Sequence, residues 1–349
     1  MNFAQLADTT IKQKASDLHI TAGVPPSLRI DGRIQRMDLP ALQPEDTAAL
    51  TEQILSEEQL KILDERGEID ISLSNPGVSR FRINAFKQRG SYGIAARMIV
   101  SEIPKMSELG IPPVVKELAR KTRGLILVTG PTGSGKSTTL ATMVDQINRE
   151  RCCHIITLED PIEYLHKHNK SIVNQREIGN DSQTFSDALR ASLRQDPDVI
   201  LVGEMRDLET IGIAITAAET GHLVLSTLHT SDAAKTIDRV IDVFPPYQQQ
   251  QIRIQLSTVL EGIISQQLLV KEGDSGRVAA FEIMVATPAI RNLIREGKAH
   301  QIQTSIQTGS KFGMQTMDSS LLELYRRGII SKETILTRAI DMDSIAKYI

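Results

Sequence analysis

The sequence predicts a two-part α/β protein: a small α+β unit, then a larger core built on a parallel sheet. Three observations predict it. Residues 125–138, LILVTGPTGSGKST, read as a buried strand, a glycine-rich turn and the start of a helix. From residue 125 onward, short apolar runs alternate with helical patterns, as a parallel sheet requires. Over residues 1–100, short segments alternate apolar and polar with a period of two, the pattern of half-buried strands.

Taken in order, Phe3, Leu6, Ala7, Thr10 and Ile11 recur at helical spacing and predict an opening amphipathic helix. Residues 16–20 and 27–31 alternate as strands, and Asp31-Gly32 is a hairpin signal. Residues 44–63 read as one or two helices, and 69–73, 79–85 and 92–99 as strands. The run Ser79–Asn84 sets Arg80, Arg82 and Asn84 on one face and Phe81 and Ile83 on the other. Residues 101–113 hold Pro104, Gly110, Pro112 and Pro113 and read as the linker between a domain at 1–100 and one at 114–349. A helix at 114–123 leads into the core. There the predicted strands are 125–129, 154–158, 198–203, 222–227 and 280–285. The predicted helices are 136–149, 184–195, 207–219, 232–241 and 246–267. Residues 287–349 read as helical, with Thr287 and Pro288 as N-cap and first helical residue and Gly297 as a stop.

Composition narrows the function. The 349 residues carry a net charge of −3, so no global field draws the chain to nucleic acid. Aromatic residues make up 3% and Trp is absent, which disfavours binding single strands by base stacking. Cys152 and Cys153 are adjacent and read as two reduced thiols in packing positions of a cytoplasmic protein. The N-terminus lacks the apolar segment of a signal peptide, and no apolar run approaches the roughly 18 residues of a membrane span.

The stretch 130–138 matches G-x-x-x-x-G-K-[ST] in its strand–turn–helix setting. Glycines let backbone N–H groups curl toward phosphate oxygens, and the new helix points its positive end at the same place. Gly130, Pro131, Thr132, Gly133, Ser134, Gly135, Lys136, Ser137 and Thr138 are therefore the candidate nucleotide-binding residues. Lys136 reaches the β- and γ-phosphates, and the Ser137 hydroxyl is the candidate Mg²⁺ ligand.

In parallel sheets the chemistry collects outside the carboxyl ends of the strands. Strand 154–158 runs into Glu159, Asp160 and Glu163. These acids either hold the waters of Mg²⁺ and activate an attacking water, or form a solvated acidic loop. Strand 198–203 leads to Glu204, placed as general base or water-orienting group, with Gly203 where many such enzymes carry a metal-binding Asp. His229, just past strand 222–227, is placed either as a γ-phosphate sensor or as a structural hydrogen-bonder. His222, before that strand, fits the structural role. Thr230 or Ser231 is the expected cap of the following helix.

These residues resemble the secretion ATPases of type II and type IV systems. The signatures are GPTGSGKST (130–138), LEDPIEY (158–164), DPDVILVGEMRD (196–207) and HLVLSTLHTSD (222–232), and the glycine at 203 is the family's own. AIRNLIREGKAHQI (289–302) resembles the retraction-type branch, and the four-cysteine insertion of the extension and type II branches is absent from this sequence.

The resemblance implies a PAS-like N-terminal domain, a RecA-like core, ATP and Mg²⁺ as ligands, and a homohexameric ring. It implies a cytoplasmic motor, peripheral to the inner membrane, that acts through a pilus platform protein and the pilus assembly machinery to drive retraction. It also assigns Arg82 and Arg97 to the γ-phosphate, with Arg80 a lesser candidate; Arg194 and Arg239 are weaker candidates, at subunit contacts or at the γ-phosphate. An accessory retraction paralogue, an extension or secretion ATPase, and a nucleotide-gated scaffold are the alternatives. The apolar stripe Ile290, Leu293 and Ile294 becomes a retraction element, in which a polar residue at Leu293 or Ile294 is expected to impair movement more than folding.

Overall fold

The computed structural model describes residues 2–30, 32–75, 79–99, 103–273 and 276–349. The chain divides into two compact units, Met1–Glu102 with Glu163–Leu165, and Ile103–Ile162 with His166–Ile349.

The first unit runs α1 (Phe3–Lys12), β1 (Asp17–Ile20), β2 (Ser27–Ile30), β3 (Arg33–Arg36), α2 (Pro44–Glu52), α3 (Glu57–Arg66), β4 (Glu68–Asn75), β5 (Ser79–Gln88) and β6 (Ser91–Ile99). Its strands form one antiparallel sheet in the order β3-β2-β1-β6-β5-β4. Alternation decides the faces: Phe81 and Ile83 join Phe3, Leu6, Leu18 and Leu50 in the core, while Arg82 is exposed. β3 was not expected. All four of its residues are exposed, so it lacks the apolar alternation that marks a strand in sequence. It pairs with β2, Ile30 opposite Arg33, as the hairpin signal requires; Asp31 lies outside the described residues.

The second unit begins at Ile103, inside the expected linker 101–113, of which residues 101 and 102 lie outside the described residues. It runs α4 (Pro113–Ala119), β7 (Gly124–Thr129), α5 (Lys136–Glu150), β8 (His154–Glu159), β9 (Ile172–Glu177), α6 (Phe185–Ser192), β10 (Val199–Val202), α7 (Leu208–Glu219), β11 (Leu223–Leu228), α8 (Ala233–Asp242), α9 (Pro246–Val259), β12 (Leu260–Val270), β13 (Arg277–Val285), α10 (Pro288–Arg295), α11 (Ile302–Gln307), α12 (Met317–Arg326), α13 (Lys332–Arg338) and α14 (Met342–Ile345). The sheet order is β13-β12-β7-β11-β10-β8-β9. Leu125 and Leu127 of β7 enter the core on one face, Ile126 and Val128 that on the other, so the strand reads as a continuous apolar run.

Three expectations about this sheet are corrected. The helix expected over 246–267 stops at Val259, and residues 260–270 are β12, paired parallel to β7. A strand buried on both faces has no period-two signature, so LEGIISQQLLV passes for helix. At Gly262 the strand packs closely: a Cβ there would lie 2.8 Å from the Leu118 side chain and 3.1 Å from the Met284 carbonyl oxygen. The strand expected at 280–285 joins antiparallel to β12. β9, IVNQRE, was missed because it is a polar edge strand.

In the helical C-terminal part, Thr287 caps α10 as expected, its side chain accepting from the Ile290 N–H. Ile294 is 1% exposed and belongs to the main core, with Leu293 packed against it. A polar residue at Ile294 therefore damages folding directly, which corrects the expectation for that position. Among the described residues, no helix is long and apolar enough to cross a membrane.

Candidate active site

The site is built on the turn between β7 and α5. Gly130 has φ 144°, and a Cβ on it would lie 2.3 Å from the Gln266 carbonyl oxygen and 2.6 Å from Ser134 Oγ. Only glycine fits that close approach. Lys136 is 9% exposed, and its Nζ donates to the carbonyls of Gly130 at 2.9 Å and Pro131 at 3.1 Å. The ammonium thus sits under the loop. Ser134 Oγ is buried without a hydrogen-bond partner among the described residues. Gly135 precedes α5, and among the described residues no side chain caps that helix. The first-turn N–H groups and the helix dipole therefore face the loop, an arrangement that suits phosphate. A cleft of about 890 Å³ runs beside it, lined by Leu109, Thr138, Gln266, Leu268, Arg277 and Phe281 among others, which is room for a nucleoside.

Gln266 is the residue that sequence reasoning missed. It is 2% exposed on β12; its Nε2 donates to the Ser134 carbonyl and its Oε1 accepts from Thr139 Oγ1 at 2.9 Å. One side chain thereby ties the phosphate loop to the first turn of α5. The available signal was a glutamine inside an apolar run, lost when the run was read as helix.

At the neighbouring strand ends, Gly203 follows β10. Its N–H donates to the Leu158 carbonyl at 2.7 Å and its carbonyl accepts from Thr227 Oγ1 at 2.6 Å. A Cβ there would lie 3.1 Å from the Leu158 oxygen, so the turn into Glu204 is tight. Glu204 Oε2 lies 2.7 Å from Arg206 Nε and 3.5 Å from His229 Nε2. The structure thus brings Glu204 and His229 together at the ends of the paired strands β10 and β11. The cap of α8 is Asp232, accepting from the Lys235 N–H at 2.8 Å, rather than Thr230 or Ser231. Thr230 Oγ1 instead meets Thr236 Oγ1 at 2.7 Å. The Ala233 N–H donates to Glu282 Oε1 at 2.8 Å, and burial pushes the Glu282 carboxyl above its ordinary range.

Glu159 Oε1 accepts from Thr157 Oγ1 at 2.6 Å and Gln175 Nε2 at 3.1 Å, while Asp160 and Glu163 are exposed. Among the described residues, no group of three or more His, Cys, Asp or Glu forms a metal-holding cluster. The Ser137 hydroxyl, at the start of α5 beside the phosphate loop, is the residue of this loop that could hold a Mg²⁺. Glu163 falls in the segment grouped with the first unit.

In that first unit, Arg82 and Arg97 are directly opposed on β5 and β6. Arg97 Nε lies 2.9 Å from Asp17 Oδ1. Burial works to raise the Asp17 carboxyl, but the Ser16 hydroxyl and Arg97 outweigh it and hold it below its ordinary range. Arg194 and Arg239 are exposed. His222 Nδ1 lies 2.9 Å from the Ala217 carbonyl, the structural role expected of it. Cys152 is exposed rather than packed, and Cys153 Sγ lies 3.2 Å from Ser171 Oγ; both thiols are free.

A phosphate loop on a mainly parallel sheet, with a carboxylate and a histidine at adjacent strand ends, defines a P-loop nucleotide-binding protein of the RecA-like kind. The chain belongs to the family described as Type II/IV secretion system protein, which it matches over residues 3–336. It is 53% identical over 339 residues to the type IV pilus retractation ATPase PilT of Pseudomonas aeruginosa, covering 97% of this chain and 98% of that one. It is 48% identical over 321 residues to a twitching motility protein of Neisseria gonorrhoeae, covering 92% of this chain and 86% of that one. Among solved structures, that of the pilus retraction motor PilT with bound ADP superposes with a TM-score of 0.93 at 52% identity, over 99% of both chains.

Proposed function

We propose that this chain is an ATP-hydrolysing motor that powers retraction of type IV pili. The observation that carries the reading is the pairing of a complete phosphate loop with Glu204 at a strand end, in a chain that matches a pilus retraction motor over nearly its full length. Lys136 and the α5 N-terminus bind the β- and γ-phosphates and neutralise charge as the γ-phosphoryl group departs. Ser137 is the proposed Mg²⁺ ligand, with Glu159, Asp160, Glu163 or Glu204 acting on the ion's waters; bound there, the ion would supply Lewis-acid charge stabilisation to the phosphates. Glu204 orients and deprotonates the attacking water, with Glu163 the other candidate base. His229, 3.5 Å from Glu204, steadies that carboxylate and registers the γ-phosphate. Arg82 and Arg97 are the proposed cationic partners of the γ-phosphate.

The working form on this reading is a homohexameric ring on the cytoplasmic side of the inner membrane, acting on a pilus platform protein. Expression of the chain in cells that assemble pili but lack their own retraction ATPase tests the reading. Restored twitching and loss of surface pili would support it. Pili that stay extended despite full ATPase activity of the purified protein would overturn the retraction assignment.

A further inference from the structure

We propose that Gln175 and Glu177 are positioning residues for the hydrolytic step, because β9 uses these two side chains to hold the acidic loop that presents Glu159 and Glu163. The inference rests on the reading above that the acidic loop serves hydrolysis.

β9 runs parallel to β8 with Thr157 opposite Gln175 and Glu159 opposite Glu177. Gln175 and Glu177 are two residues apart, so both project from the same face of the strand. Gln175 grips both ends of the loop. Its Nε2 donates to Glu159 Oε1 at 3.1 Å, and its Oε1 accepts the His166 N–H at 2.8 Å. Glu177 grips the middle. It is 3% exposed; its Oε2 accepts the Ile162 N–H at 3.1 Å and its Oε1 accepts from Asn180 Nδ2. The strand end itself is fixed, with the Glu177 N–H donating to Asp181 Oδ2 at 2.8 Å and the Ile178 N–H to the Glu159 carbonyl at 2.8 Å.

A second clamp holds the far half of the connection. Asn148, on the helix that starts at the phosphate loop, donates to the Lys167 carbonyl at 2.7 Å and accepts the Asn169 N–H at 3.1 Å. Fixed points therefore fall at 159, 162, 166, 167 and 169. The arc between Ile162 and His166 spans three residues, and it begins with the exposed Glu163. Each clamp is a buried or half-buried polar side chain that bonds this loop, a costly arrangement unless the loop's course matters. Removing the Gln175 side-chain bonds leaves the sheet intact, removes one of the two donors to Glu159 Oε1 described above, and releases the His166 N–H at the loop's far end.

Steady-state ATPase kinetics with a Mg²⁺ titration and thermal melting, on the full chain, test this with Gln175→Met, Glu177→Gln, Glu159→Gln and Glu163→Gln. Gln175→Met and Glu177→Gln are expected to lower kcat by roughly 10- to 100-fold, the usual cost of losing an outer-sphere partner. KM for ATP should stay within about threefold, since the phosphate loop is untouched, and Gln175→Met should need more Mg²⁺ for half-maximal rate. Unchanged kcat in Gln175→Met, alongside loss in Glu159→Gln or Glu163→Gln, would overturn the positioning role and leave the loop's own role standing. A joint fall of kcat, ATP affinity and melting temperature in Gln175→Met would also overturn it, as a merely structural effect. Full activity in both Glu159→Gln and Glu163→Gln would remove the reading on which the proposal rests.

Discussion

The two sheets of this chain place their chemistry in opposite ways. The antiparallel sheet of the first unit buries one face and offers the other. Arg29, Asp17, Arg97, Arg82 and Ser72 stand in one register across five strands, β2-β1-β6-β5-β4. Like charges directly opposed on one face are unfavourable, and Arg82 faces Arg97 with Asp17 as the nearest acid in the row. The mainly parallel sheet of the second unit is buried on both faces, so the candidate groups collect at strand ends: Lys136 after β7, Glu159 at the end of β8, Glu204 after β10 and His229 after β11. The lesson is that a side chain on an open sheet face can be changed without disturbing the fold, whereas a group at a buried strand end is bound up with the core beneath it.

Three experiments sharpen or break that contrast. The largest effect is expected from Lys136→Gln, which removes the buried cation under the loop. Hydrolysis should fall by at least about a thousandfold and nucleotide binding should weaken, read by turnover and by nucleotide titration. Retained turnover would contradict the whole site. Next, Arg82→Ala and Arg97→Ala should each cost at least about tenfold in kcat; melting should stay unchanged in Arg82→Ala and fall in Arg97→Ala, which strips the buried Asp17 of its ion pair. A lowered melting temperature without loss of kcat would reverse the assignment, making the row a structural device. The smallest effect concerns stability. Burial holds the His166 imidazole down at about 4, against the opposing pull of Asp145. Its folded value lies below its unfolded one, so it contributes stability that is present above about pH 6.5 and lost as pH falls toward 4, at most about 3 kcal/mol. Melting curves from pH 7.5 to 4.5 should therefore slope less in His166→Gln; identical slopes would show that the imidazole titrates freely.

The same contrast explains what the sequence disclosed. Residues 124–129 and 199–202 were legible because flanking turn signals bounded their apolar runs. β5 was legible because Phe81 and Ile83 alternate with arginines. β12 was not, because burial on both faces erased its periodicity, and with it went Gln266. β9 was not, because its exposed edge is polar, and with it went the clamps on the acidic loop. The signatures named Glu204 and His229, but their 3.5 Å approach arises from the parallel pairing of β10 and β11, which lie more than twenty residues apart in the chain. Ile294 shows the opposite failure: the apolar stripe was seen, but its place in the core was not.

The most direct test of this account is ATP binding and turnover by the purified chain beside Glu204→Gln. The account predicts that the variant binds ATP much as the parent does and loses nearly all hydrolysis. Turnover that survives the substitution would contradict the role of Glu204 and make Glu163 the better base.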